Sequence, residues 1–299
     1  KTVLYSGDNT EARKISGVGF QPDLVWHGTR NQAISNILTD SVRGTQKLLS
    51  TDSTAAEQSP TYPYLNSFDS DGFTLRGGTS SGGNINGRSM VAWCWKAGGP
   101  AVTNTDGTIT SQVSANQDAG FSIVSTNGSG TAGHGLNATP QFIISKRTTL
   151  TSDWSIQHHQ MMTSSTGKLL FTTAGVVAST TPYMFNANDT TFQPVYTDPC
   201  ISYCWTEIEG YSKFGSYTGN GKTDGTFVYC GFKPAWVMIK AYDYADHWLI
   251  ADRARDARNN DDTSRWLYPT SNSAESTQNG IELVSNGFKV RNNNNGRNG

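Results

Sequence analysis

Short apolar runs separated by polar turns recur along the whole chain, and helical periodicity is scarce. Phe73 and Leu75, and later Phe288 and Val290, alternate with polar residues, the period-two pattern of half-buried strands. Phe142-Ile143-Ile144 and Trp236-Val237-Met238-Ile239 are continuous apolar runs, which predicts central strands covered on both faces. Asp71-Gly72, Asn127-Gly128 and Asn286-Gly287 predict tight turns. Pro22, Pro140 and Pro234 stand at strand entries, where a missing N–H does least harm. Ser53-Thr54-Ala55-Ala56-Glu57 and Ser273-Ala274-Glu275 each predict a single helical turn with a Ser cap.

These elements come in a repeated order. Gly19-Phe20-Gln21-Pro22-Asp23-Leu24-Val25-Trp26 returns as Gly231-Phe232-Lys233-Pro234-Ala235-Trp236-Val237-Met238, with a looser copy from Gly135 to Lys146. Leu38-Thr39-Asp40-Ser41-Val42-Arg43 echoes Ile250-Ala251-Asp252-Arg253-Ala254-Arg255, and the middle copy carries His158 in place of the aspartate. Met90-Val91-Ala92-Trp93-Cys94-Trp95 matches Ile201-Ser202-Tyr203-Cys204-Trp205. A fixed order of shared anchors defines the folding unit, and predicts three β-sandwich modules at 1–100, 101–212 and 213–299, each of six to eight strands. The third copy lacks the aromatic-Cys-Trp strand. The expectation is that the polypeptide continues beyond Gly299 or that a neighbouring subunit supplies that strand, with the third module the least stable. The absence of an initial Met predicts a processed chain or a fragment, and Lys1-Thr2-Val3-Leu4-Tyr5 has no secretory pattern.

Composition narrows the partners. A net charge of −1 with only 16% charged residues gives no footprint for nucleic acid, and no apolar run is long enough for a helical membrane span. Cys94 and Cys204 hold the same slot among aromatics, which predicts reduced, buried, equivalent side chains. Cys200 and Cys204 would stand about 13 Å apart on one strand, too far for a disulfide.

The strings at 19–26, 38–57, 67–75 and 91–99 together resemble the repeated modules of tail-fibre and other virion structural proteins of marine tailed bacteriophages. The likeness covers nearly the whole chain and is weakest in the middle unit. It implies tandem concanavalin A-like jelly-roll sandwiches, a place on the outward-facing virion, other virion proteins as partners and a homo-oligomer. It supplies no ligand, because a sandwich fold hosts lectins, enzymes and spacers alike.

The residues and the resemblance together imply three functions: a structural virion appendage with a role in host attachment, a lectin-like module for host surface glycans, and, least favoured, a polysaccharide-degrading enzyme. A glycosidase needs two placed carboxylates. Glu207-Ile208-Glu209 is the only close alternating pair and has no counterpart in the other units, so no enzyme is expected. Asp40 and Asp252 could hold a cation or sugar hydroxyls, although pairing with Arg43 and Arg255 to fix a loop is the favoured account. Asn259-Asn260-Asp261-Asp262 is oxygen-rich but lacks a calcium-loop spacing, so Ca²⁺ is unsupported by a motif and no cofactor is expected. Recurrent tryptophans read as core. Trp266 and the loop tyrosines Tyr62, Tyr64, Tyr242, Tyr244 and Tyr268 are the candidates for stacking on a glycan.

Overall fold

A computed structural model of the chain describes residues 1–77, 82–160, 167–178, 186–256, 264–278 and 280–299. The fold is all-β, made of antiparallel sheets. The first repeat contains β1 (Thr2–Ser6), β2 (Arg13–Ser16), β3 (Leu24–Thr29), β4 (Ile37–Asp40), β5 (Leu49–Ser50), β6 (Leu65–Asp69), β7 (Gly72–Leu75) and β8 (Ser89–Trp95). They form a main sheet, β1-β8-β3-β4-β5, and a smaller one, β2-β7-β6. Between the two lie Ile15, Val25, Leu65, Phe73, Ala92 and Cys94. Successive strand residues face opposite ways, so Leu24, Trp26 and Trp93 leave the main sheet on its other face, which is also buried. That double burial explains the unbroken apolar run Leu24-Val25-Trp26.

The second repeat contains β9 (Val102–Asn104), β10 (Ser111–Asn116), β11 (Phe121–Thr126), β12 (Ala132–Gly133), β13 (Phe142–Arg147), β14 (Ser155–His158), β15 (Gly167–Leu170), β16 (Val177–Ala178), β17 (Thr191–Phe192) and β18 (Cys200–Trp205). Its main sheet has the order β16-β15-β14-β13-β18-β11-β10-β9, and β12 pairs with β17. Val113, Val124, Ile143, Phe192 and Cys204 pack between them. The third repeat contains β19 (Phe227–Tyr229), β20 (Trp236–Ile239), β21 (Leu249–Asp252), β22 (Ser264–Trp266), β23 (Ser276–Gln278), β24 (Ile281–Val284) and β25 (Gly287–Val290), then a one-turn helix, α1 (Asn295–Asn298). β20 pairs with β21, β22 with β23, and Ile250 bridges to Leu267 between these pairs. The sheet β19-β25-β24 closes a core of Val237, Leu249, Trp266, Leu283 and Phe288.

The ladders fix the equivalences. Leu24 lies opposite Asp40, Phe142 opposite His158 and Trp236 opposite Asp252. β8 lies between β1 and β3, as β18 lies between β11 and β13. The outer faces of all three main sheets meet in one core, to which the first repeat gives Trp26 and Trp93, the second Phe142 and Tyr203, and the third Trp248 and Ile250.

The junctions around that core repeat in cyclic order. Glu57 N donates to Thr148 O at 2.9 Å, Val176 N to Tyr242 O at 2.6 Å and Glu275 N to Arg30 O at 2.8 Å. Trp154 Nε1 donates to Ser50 O at 2.8 Å, Trp248 Nε1 to Leu170 O at 2.8 Å and Asn36 Nδ2 to Tyr268 O at 2.9 Å. Each set uses equivalent positions and visits all three junctions. The repeats therefore close into a ring with pseudo-threefold symmetry around a shared core, where the sequence suggested modules in tandem.

Local expectations fared unevenly. All four cysteines are free, and Cys94 and Cys204 are buried on equivalent strands. The hairpins before Gly72 and Gly287 form where the turn signals stood. The predicted helical turns at 53–57 and 273–275 do not form, because the Glu57 and Glu275 N–H groups go to carbonyls of the next repeat. The segment from Gly215 to Gly219 forms no strand. The Asn259–Asp262 cluster lies outside the described residues.

Candidate functional site

At one end of the ring, β5, β15 and the segment after β22 run into hydroxyl-rich loops: Thr51-Asp52-Ser53-Thr54, Phe171-Thr172-Thr173 and Pro269-Thr270-Ser271. Ser50, Leu170 and Tyr268, whose carbonyls accept the equivalent junction bonds, each precede the loop by the same interval. Asp52, Thr172 and Thr270 are therefore equivalent residues, and all three line a single pocket of about 260 Å³. Ser53, Thr54, Thr173 and Asp153 complete its wall, and Trp154 and Phe171 its buried floor.

The loops are held from beneath. Thr51 Oγ1 donates to Pro269 O at 2.7 Å, which ties the first loop to the third. Lys146 Nζ donates to Thr54 O at 2.9 Å and Ser152 O at 2.6 Å, joining the first repeat to the second. Its equivalent, Lys240, donates through Nζ to Thr173 O at 3.1 Å and Asp246 O at 2.5 Å. Burial lowers both ammonium groups to about 8. Asp52 accepts from Asn36 N at 3.2 Å, and burial raises its carboxyl pKa. His247 Nδ1 shares a hydrogen bond of 2.8 Å with Thr270 Oγ1, and burial lowers its pKa, favouring the neutral ring.

Among the described residues the wall thus offers five hydroxyls and two carboxylates, Asp52 and Asp153, over a buried aromatic floor, and no Lys or Arg. Such a set accepts hydrogen bonds from hydroxyl groups and repels anions. Among the described residues no group of three or more His, Cys, Asp or Glu is placed to hold a metal ion.

The residues expected to bind a ligand are scattered. Asp40 and Asp252 are 0% and 1% exposed. Their Oδ2 atoms accept from Arg43 Nε and Arg255 Nε at 2.6 Å, and Asp40 also takes Tyr203 OH at 2.8 Å and Asp252 takes Trp93 Nε1 at 2.9 Å. They are junction anchors and present nothing to a ligand, as the Asp–Arg account held. Trp266 is also wrong as a sugar platform, since it is fully buried in the third core. Tyr64 is half-buried, with its ring 5.7 Å from that of His27. Tyr268 is half-buried, and its OH meets Ser276 Oγ at 2.7 Å. Tyr62, Tyr242 and Tyr244 are exposed. Tyr242 and Tyr244 share the pocket's end of the ring, because their loop receives Val176 N on Tyr242 O and lies against Gly175. Glu207 is occupied by Lys213 Nζ at 3.0 Å and Phe214 N at 2.8 Å.

Asp52, Asp153 and Thr270 were not singled out in the sequence. The available signal was the hydroxyl-rich loop recurring at one position of each repeat. That the three loops converge depends on ring closure, which no local pattern encodes.

A family model described as a domain of unknown function (DUF7483) matches residues 1–299, and the chain belongs to that family. No curated protein and no solved structure gives a significant match.

Proposed function

We propose that the chain is a non-catalytic structural module of a bacteriophage virion appendage (a tail fibre, spike or capsid decoration) that faces outward and takes part in attachment to the host surface. The supporting observation is the ring. Three repeats spend their charged residues on fastening one rigid body: Asp40 with Arg43 and Glu57, Asp252 with Arg255 and Glu275, and Lys146 and Lys240 on carbonyls. A module built this way transmits load and presents loops on a fixed scaffold. The resemblance of residues 19–26, 38–57, 67–75 and 91–99 to tail-fibre repeats supplies the setting.

A second reading, carbohydrate binding, is favoured by the axial pocket and belongs with the first, since attachment requires a surface ligand. Antibody raised against the chain should label an appendage of the encoding phage in immunogold electron microscopy. Particles that stay unlabelled, whole and disrupted, would sink the virion assignment. Purified chain should release no reducing ends from polysaccharides. Release that disappears in Asp52→Asn or Asp153→Asn would make the pocket a glycosidase site.

A further inference from the structure

We propose that the axial pocket binds one neutral sugar ring of a host-surface glycan. The inference rests on the attachment reading and supplies its ligand class. The pocket's volume, about 260 Å³, falls just under the ~300–1,000 Å³ typical of sites for drug-sized molecules. That size suits a single ring with the rest of a glycan outside.

The chemistry of the wall selects among single rings. Carboxylates accept charge-assisted hydrogen bonds from hydroxyl groups, which are stronger than neutral ones. Asp52 and Asp153 provide two such acceptors, and the Ser and Thr hydroxyls rotate to donate or accept as the ligand requires. Trp154 and Phe171, 1% and 5% exposed, seal the bottom of the pocket but offer a ligand no stacking face, so recognition rests on the polar wall. An acidic sugar or a phosphate would meet two like charges. The ammonium groups of Lys146 and Lys240 point to backbone carbonyls beneath the loops and are not among the lining residues. A lone calcium ion needs about six to eight oxygens at about 2.3–2.6 Å, a far tighter nest than this pocket.

Pre-organisation favours binding. Thr51, Lys146 and Lys240 fasten the loops from below, so little loop entropy remains to be lost. Beyond the rim, Tyr242 and Tyr244 are 45% and 49% exposed, flat surface for the neighbouring residue of a longer glycan. One pocket for three repeats also has a cause. Ring closure brings three equivalent loops to one place, where Asp52 stands against Thr172 and Thr270 and makes a single asymmetric lining.

The test is a titration of the intact chain with the methyl glycosides of glucose, galactose, mannose and N-acetylglucosamine, followed by saturation-transfer NMR and calorimetry. At least one should bind in the range of ~1 mM or tighter, as a single-ring ligand with few contacts does. Asp52→Ala should weaken that binding at least tenfold, and Tyr211→Ala, on the linker between the second and third repeats, should leave it unchanged. Thr173→Val provides the same reading if Asp52→Ala lowers the melting temperature. Binding must survive EDTA. No binding by any of the four glycosides, binding indifferent to Asp52 and Thr173, or saturable calcium uptake that Asp52→Ala abolishes would each overturn the proposal. An appendage that labels with antibody while the chain ignores all four sugars removes this site alone. Sugar binding by a chain that labels no particle removes the virion reading and leaves the site.

Discussion

At the residue scale the ring depends on two buried carboxylates that would be costly unless fully partnered. Asp40 takes Arg43 Nε, the backbone N–H groups of Val42 and Arg43, and Tyr203 OH from the second repeat. Asp252 takes Arg255 Nε, Arg255 N, and Trp93 Nε1 from the first repeat. Tyr203→Phe removes the bond to Asp40 and the one that Tyr203 OH accepts from Arg43 Nη2 at 3.3 Å, and keeps the ring's shape, so it should cost about 1–3 kcal/mol in urea denaturation. Tyr211→Phe, at a tyrosine 60% exposed, should cost nothing measurable. Equal midpoints for the two variants would mean that Tyr203 packs without anchoring. The spacing Asp40-x-x-Arg43 is visible in the sequence, because a short turn brings an Arg back onto an Asp three residues earlier. The third partner comes from a residue more than a hundred positions away, and no local pattern points to it.

At the element scale the three main sheets are unequal. β3 and β13 each have a hydrogen-bonded neighbour on both sides, whereas among the described residues β20 is paired only with β21. An edge strand presents unpaired N–H groups to solvent and opens at lower free energy. Amides of β20 should therefore lose protection in native-state hydrogen exchange well before those of β3 and β13. Equal protection in the three strands would show that the shared core alone sets local stability. Strands with strong apolar runs, such as Leu24-Val25-Trp26 and Phe142-Ile143-Ile144, were legible because both their faces are buried. β9, with Val102 65% exposed, has one apolar residue and no period to read, and β19, Phe227-Val228-Tyr229, is an apolar run of three residues, too short to separate a strand from a loop. The stretch Ser53–Glu57 has helical propensity that the structure overrides: its backbone groups find partners in the second repeat, and tertiary bonds outweigh a single turn. The candidate pocket stands on those same loops.

At the scale of the whole molecule, folding buries imidazoles, and the cost of burial outweighs the carboxylates near His134, His158 and His247, while His27 has none. His27 is 1% exposed, and neither ring nitrogen has a hydrogen-bond partner among the described residues. The rings of Tyr5, Tyr64 and Phe73 surround it at 6.4, 5.7 and 5.5 Å. Burial lowers its pKa from 6.5 to about 3, and burial followed by the charge of His159 lowers that of His158 to about 4. His134 and His247 move the same way, again mainly through burial. Below pH 6.5 the unfolded chain binds protons that the folded chain refuses, so stability must fall as pH drops toward the folded values. For His27 alone, the loss between pH 7 and pH 5 is about 2 kcal/mol, since each step of one pH below 6.5 costs about 1.4 kcal/mol. Over that window ordinary carboxylates stay ionised in both states, and the buried amino terminus of Lys1, also lowered mainly by burial, adds to the slope with the same sign as the histidines. Urea midpoints measured at pH 7, 6 and 5 should decline steadily. His27→Phe, which keeps an aromatic ring among aromatic neighbours and removes two unpaired nitrogens, should flatten the decline by that amount. A variant as acid-sensitive as the parent would show that His27 gains a proton and a partner in the folded state, and that the cage around it opens below pH 6.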